Sequence, residues 1–253
     1  MKSIVSRTLS VHKEHEVLLK LEAAGFTDEL AQRVIDSKGN DLAAKVVRLI
    51  SNGGFEPTTS QKRAREIMGQ NFFSIEEAVR HFGVKPTRAE LRALAHIPFT
   101  EAQLRECEDT HVLVAIFPMS INDIRSVSSA LFYSQQWYDK QAFAKEKGEA
   151  EWKLVRKTPV AKSTLKSWAE QQALLSDEEE TPSARVMVYT IIGHFLATGE
   201  RLFKNVYVRS ADIDSDGYRV IVGHFDSSGL YVNYYWDDNR DYYLGLSAAR
   251  KFD

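Results

Sequence analysis

The apolar pattern changes period once along this chain, near residues 106–110, and that change limits the fold more than any other feature. Before it, everything reads as helix. Leu18, Leu19, Leu21, Leu30, Ala31, Val34 and Ile35 recur at helical spacing, punctuated by Gly25 and by Gly39-Asn40. "LAAKVVRLI" supplies a third helix, closed by Asn52-Gly53-Gly54. Ser74-x-x-Glu77, Thr87-x-x-Glu90 and Thr100-x-x-Gln103 are capping-box signatures. In each, a hydroxyl accepts from an unpaired helix amide while the Glu or Gln reaches back, so 59–106 should form several short helices.

After the change, strands dominate. "HVLVAIFP" (111–118) reads as a buried strand stopped by Pro118, and "EWKLVRKTPV" as a second strand. Between them "DKQAFAKEKG" reads as a helix ending at Gly148. The acidic run 177–180 leads into Thr181-Pro182, a cap followed by proline at the first helical position. "SARVMVYTIIGHFLAT" is then a long apolar helix that Gly199 ends. "NVYVRSAD", "YRVIVGHF", "GLYVNYYW" and "YLGLSAARKF" follow as strands, with hairpin turns at Asp216-Gly217 and Ser228-Gly229. The expected class is α+β: an all-helical N-terminal region over 1–106, then a domain over 107–253 that ends in an antiparallel sheet.

Composition excludes several roles. A net charge of −2 provides no global field for nucleic acid or anionic lipid. No apolar run approaches the roughly 20 residues of a membrane span. Charges interrupt "MKSIVSRTLSVHKEHEVLLK" throughout, so it lacks the apolar core of a secretory signal. The expected location is cytoplasmic, with surface display open only by another route. Cys107 is the single cysteine, which excludes an intramolecular disulfide and a Cys-based metal cluster.

Catalytic and metal motifs are weak. "DIDSDGYRVIVG" begins like a calcium loop with Asp212, Asp214, Asp216 and Gly217, but its twelfth position is Gly223 where a bidentate Glu is needed. A hairpin turn is the expectation. His12 and His15 lie one helical turn apart with no third ligand evident, and Cys107 and His194 read as core residues. No GxSxG, HExxH or phosphate loop is present, so no enzymatic activity, cofactor or metal is expected. One alternative stands apart. Residues 74–96 have the helix, Gly-containing turn and helix of a DNA-reading helix-turn-helix, and 59–96 carries seven Lys or Arg against four Glu. In that reading Lys85, Arg88 and Arg92 would contact DNA.

The tail has an unusual alphabet. In "YVNYYWDDNRDYY" (231–243), Tyr, Asn and Asp fill ten of thirteen positions, and half of the chain's ten tyrosines are there. Strand propensity accounts for Tyr but not for Asn and Asp, which strands disfavour. Tyr with short polar residues is the vocabulary of antibody binding loops: a large amphipathic surface with few rotors, beside adaptable hydrogen-bonding groups. The patch is net acidic, which argues against gripping phosphates. The codons of Asn, Tyr, Asp and His differ only in their first base. AAY codons mutated at that adenine would therefore generate this alphabet.

A segment of this kind closing with "YLGLSAARKF" resembles the variable region of target proteins of diversity-generating retroelements, found in bacteria and phage. The resemblance covers roughly 218–253, with a variable region of about 224–253. It implies a C-type-lectin-like domain whose last strands and loops display adenine-mutated residues to a ligand. Carried over, the display positions are Tyr231, Asn233, Tyr234, Tyr235, Asp237, Asp238, Asn239, Asp241, Tyr242 and Tyr243. Val232, Trp236, Leu244, Gly245, Leu246 and Arg250 would be scaffold. The partner implied is a variable ligand, expected to be a protein. Many such proteins are surface-displayed, and this chain shows no export signal.

Overall fold

The structure is a computed structural model that describes residues 9–51 and 58–252, in two compact units, Met1–Gly54 and Phe55–Asp253. Residues 1–8 of the N-terminal stretch read above, and the Asn52-Gly53-Gly54 stop, lie outside the described residues.

The first unit holds α1 (Val11–Ala23), α2 (Asp28–Ile35) and α3 (Asp41–Ser51). Ser10 and Thr27 cap α1 and α2 by accepting from Lys13 N and Leu30 N. Gly25 and Gly39 take positive φ between the helices, where a side chain would be strained. Among the described side chains of these helices none is fully buried.

The second unit begins with α4 (Thr59–Met68), β1 (Phe72–Phe73), α5 (Ile75–Phe82), α6 (Arg88–Ala93) and α7 (Glu101–Cys107). All three expected capping boxes form, at Ser74, Thr87 and Thr100. The region before 107 is not all helical, however. Phe72 and Phe73 pair in parallel with Leu113 and Val114 of β2 (His111–Ile116). Nor does a domain boundary fall near 106. Phe72, Phe73, Phe82, Leu94 and Leu104 belong to the same buried cluster as β2 and later residues such as Val188, Val208, Val232 and Ala249. The change of period marks where helices give way to strands, while one core spans both sides.

Beyond β2 come α8 (Ile121–Val127), α9 (Ala142–Lys145), β3 (Glu151–Arg156), α10 (Trp168–Gln172), β4 (Glu179–Glu180) and α11 (Ala184–Thr198). All six residues of β2 are buried. α11 is buried continuously from Ala184 to His194 and packs on α5, α8, β2 and the later strands. A helix apolar on every side belongs at the centre of a core. Its cap differs from the Thr181-Pro182 expectation: Ser183 Oγ accepts from Val186 N, and Asp212 Oδ2 accepts from Ala184 N at 2.6 Å. The preceding acidic residues Glu179 and Glu180 are strand β4, paired with Arg250 and Ala249.

The chain closes with β5 (Tyr207–Ile213), β6 (Arg219–Asp226), β7 (Gly229–Tyr235), β8 (Leu244–Leu246) and β9 (Ala249–Arg250). "YLGLSAARKF" is thus two strands in different sheets. One sheet runs β1-β2-β3-β9-β4 and the other β7-β6-β5-β8. Both are mixed, which corrects the antiparallel expectation. β7 ends at Tyr235, level with Arg219 and so with the end of β5, whereas β8 starts level with Tyr207 at the beginning of β5. Residues 236–243 must run back along the sheet, and β8 emerges parallel to β5. The described residues therefore form an α+β fold with two mixed sheets.

Candidate functional site

β7 is an edge strand, and its side chains alternate between two environments. On one face Leu230 and Val232 are fully buried in the main core. Farther along the same face, Tyr234 and Trp236 pass beyond that core. Tyr234 stacks on Tyr218 at 5.4 Å and meets Trp137 edge-on at 4.9 Å, while Trp236 sets its edge against Tyr218 at 5.6 Å. On the opposite face, Tyr231 shares a cross-strand row with Gly223 and Tyr207, and Asn233 the next row with Ile221 and Arg209. Tyr231 also stacks on Tyr133 at 4.0 Å.

Two carbonyls on the outer edge of this strand are already used. Leu230 O accepts from Tyr133 N, and Val232 O accepts from both Gln135 Nε2 (2.6 Å) and Trp137 Nε1 (2.8 Å). Such an edge offers side chains to a partner in preference to a ladder of backbone hydrogen bonds.

The returning segment 236–243 is held by its backbone. Arg209, fully buried, donates to Trp236 O (3.1 Å) and Asn239 O (2.6 Å), and also to Lys166 O and to Gln171 Oε1 (2.9 Å). Burial draws its pKa down to about 10, which leaves it charged at neutral pH. Trp168 N donates to Asp237 O at 2.7 Å and Leu165 N to Asp241 O at 2.9 Å. Gln171 Nε2 reaches Leu244 O, and Ser163 Oγ accepts from Leu246 N. Every one of these anchoring groups comes from outside 231–243.

With the backbone fixed, the side chains divide plainly. Tyr234, Trp236, Asp238, Arg240 and Tyr242 are exposed, and Tyr231, Asn233, Tyr235, Asp237, Asn239, Asp241 and Tyr243 are half-buried. Asp237 is engaged internally: its carboxylate takes two hydrogen bonds from Arg219, each 3.0 Å, and that guanidinium lies 3.8 Å over the Trp168 ring. Arg240 pairs with Glu170, whose pKa this bond, with help from Ser167, brings down to about 2. Tyr243 has its phenol raised to about 12 through hydrogen bonds with Asp241 and Tyr235. Burial, with neighbours Tyr231 and Asp226, pushes Tyr207 up to about 12.

Of the six residues assigned as scaffold, Val232, Leu244 and Leu246 are buried. At Gly245 a Cβ would stand 2.7 Å from Pro159 Cβ, so no side chain fits there. Arg250 is mostly covered and pairs with Glu178 at 2.8 Å. Trp236 is the exception. It is 62% exposed, because β7 ends one residue earlier and the core that covers Val232 does not extend to it.

No protein-family model, curated protein or solved structure matches this chain. What the site can do is therefore argued from its own geometry.

The other candidates are accounted for locally. Asp214 Oδ1 accepts from Asp216 N and Tyr218 N, closing the β5–β6 turn, while Asp212 caps α11. Their carboxylates serve separate partners, and no group of three metal-ligating side chains occurs among the described residues. His194 is buried against Glu200 at 2.8 Å, Cys107 is buried with its thiol pKa raised by desolvation, and His12 faces Glu16 on an exposed helix. Lys85, Arg88 and Arg92 are exposed around α6, which is only six residues, about 9 Å, long.

The turn at 226–229 also differs in detail from the Ser228-Gly229 expectation. Asp226 pairs with Gly229, so residues 227 and 228 make the turn, and Gly229 at positive φ packs directly on the backbone at Phe132. Sequence reasoning misses Arg209, Arg219, Tyr218, Trp137 and Gln171 as parts of the site. Arg209 did leave a trace: a charged residue inside an apolar strand requires buried partners.

Proposed function

We propose that this protein is a non-enzymatic, receptor-like binding protein whose segment 231–243 is a recognition surface diversified by adenine mutagenesis from a retroelement template. The observation that carries the reading is the way that segment is held. Arg209, Trp168 and Leu165 fix its carbonyls, and none of them belongs to it. Side chains at 234, 238 and 242 are therefore replaceable without removing an anchor. A surface that must vary while its fold persists needs this separation of support from display. Tyrosine serves as a large, stiff anchor, and Asp and Asn set polar specificity. The C-type-lectin-like architecture belongs to the same reading: the α+β order, the two sheets and the long central helix are in keeping with it. The membrane-facing question is narrower, since no helix among the described residues is long and apolar enough to cross a bilayer.

The deciding experiment is on the gene. Its last hundred or so bases are sequenced from independent isolates and aligned with any near-copy in the same genome. Differences concentrated at template adenines within codons 231–243 are expected. An invariant segment, or mismatches spread evenly over all bases, would overturn the reading.

A further inference from the structure

We infer that the cavity beside β3, β4 and the amino end of α11 binds a free α-amino acid as its zwitterion. The cavity holds about 420 Å³, within the roughly 300–1,000 Å³ of small-molecule pockets. Six charged side chains line it: Glu146, Glu149, Glu151, Lys153, Glu180 and Arg185. None of its lining belongs to 231–243, so the inference stands apart from the recognition reading. Arg185 sets one half of the ligand. Its side chain is only 7% exposed, and its guanidinium rests on the backbone of Gly148, where a Cβ would collide with Nη2. The contacts it makes there are long. Nη1 donates to Phe117 O across 3.4 Å and Nη2 faces Glu151 Oε1 at 3.7 Å, with no further hydrogen bond among the described residues. Charge-assisted bonds of a satisfied guanidinium run to about 2.7–2.9 Å. A buried charge so loosely met calls for another acceptor, and a ligand carboxylate entering the cavity supplies one.

The balance of charge sets the other half. Lys153 is taken up between Glu180 at 2.8 Å and Glu151 at 3.4 Å. Glu146 and Glu149 are exposed and make no ion pair among the described residues. Burial draws the Arg185 pKa down while Glu151 and Glu146 pull it back, so Glu146 stands in the field of the guanidinium. Four carboxylates against two cations leave the lining at −2, and Asp212, which caps Ala184 on the same turn, adds to that field. A phosphate or dicarboxylate is therefore repelled. A simple cation would suit Glu146 and Glu149 but leave Arg185 as it stands. An α-amino acid answers both needs, its carboxylate on Arg185 and its ammonium toward Glu146 and Glu149. Ala150, Pro182 and Val186 give an apolar side chain a wall. The surplus negative charge admits a basic side chain and disfavours an acidic one.

Calorimetric titration of the full-length protein with L-leucine and L-lysine tests this. Leucinamide, which lacks the carboxylate, N-acetyl-leucine, which lacks the ammonium, and L-glutamate, which adds a negative charge, are titrated beside them. Leucine or lysine should bind, and each of the other three should be weaker by about tenfold or more. The double change Glu146→Gln with Glu149→Gln alters exposed side chains only and should weaken binding about tenfold with the melting temperature near the parent's. Arg185→Lys should weaken it as much or more. That residue is buried, so if the variant does not fold, the analogues and the glutamate pair decide. Leucinamide binding as well as leucine would leave a cation site, and N-acetyl-leucine binding as well would leave an anion site; either result overturns the zwitterion. So would no binding of leucine and lysine at millimolar concentrations, or indifference to the glutamate pair. None of those outcomes touches the codon comparison, which alone decides whether the segment is diversified.

Discussion

Arg209 Nη2 donates to Asn239 O at 2.6 Å, from a side chain with no exposure to solvent. The returning segment 236–241 is wrapped over this guanidinium, which also holds Gln171 and so ties α10 to the strand beneath. Replacing Arg209 by Met removes a buried charge together with the donors of several part-buried carbonyls. A loss of roughly 3 kcal/mol or more in urea unfolding is expected, with faster amide exchange across 236–243. An unchanged midpoint would mean that Trp168 and Leu165 suffice to hold the segment.

The two ends of β7 should respond oppositely to truncation. Leu230→Ala empties a fully buried site and should cost about 2–5 kcal/mol. Trp236→Ala and Tyr242→Ala, at 62% and 75% exposure, should each stay within about 0.5 kcal/mol of the parent. Thermal melts of the three variants separate the cases, and a large loss at Trp236 would show that its ring supports the sheet.

Gly245 tests how closely β8 approaches the 159–163 segment. An added methyl would sit 2.7 Å from Pro159 Cβ and 3.0 Å from Ser163 Oγ. Gly245→Ala is expected to destabilise by about 1–3 kcal/mol, read from denaturant midpoints.

Acid stability should depend on Glu77. Burial pushes this carboxyl up, but hydrogen bonds from Arg65 (2.8 and 3.0 Å) and from Ser74 outweigh it, and its pKa is lowered from the usual 4.5. With its folded pKa depressed, the group contributes stability above pH 4.5 that is lost as pH falls through the folded value. Glu77→Gln should therefore be less stable at pH 7 and show a flatter decline below pH 4.5. Parallel acid limbs for parent and variant would refute this assignment.

Fragment boundaries follow from the core. A chain of 55–253 retains the whole buried cluster from Ala64 to Ala249 and should fold cooperatively. A chain of 107–253 lacks β1, Phe82 and Leu94, leaving β2 without its parallel neighbour, and should give a molten state with poor near-ultraviolet circular dichroism. Equal cooperativity of the two fragments would restore a boundary near 106.

Local chemistry was readable residue by residue. Hydroxyl and carboxamide or carboxylate three positions apart defined the caps at Ser74, Thr87 and Thr100, because both partners lie within one helical turn. Apolar runs located β2 and α11, and the Tyr/Asn/Asp alphabet marked the segment whose carbonyls Arg209, Trp168 and Leu165 hold. Long-range pairing was another matter. Nothing near Phe72 says that it pairs with Leu113, and nothing near Leu244 says that its strand lies parallel to β5. Nor could Trp236 be told from Val232, since both sit on one face of a strand and only the extent of the core separates them. The sequence by itself determined which residues could cap, turn and display. Tertiary structure alone decided which strands met, which aromatics were covered, and that a buried arginine would hold the displayed segment, because those outcomes depend on contacts between residues far apart in the chain.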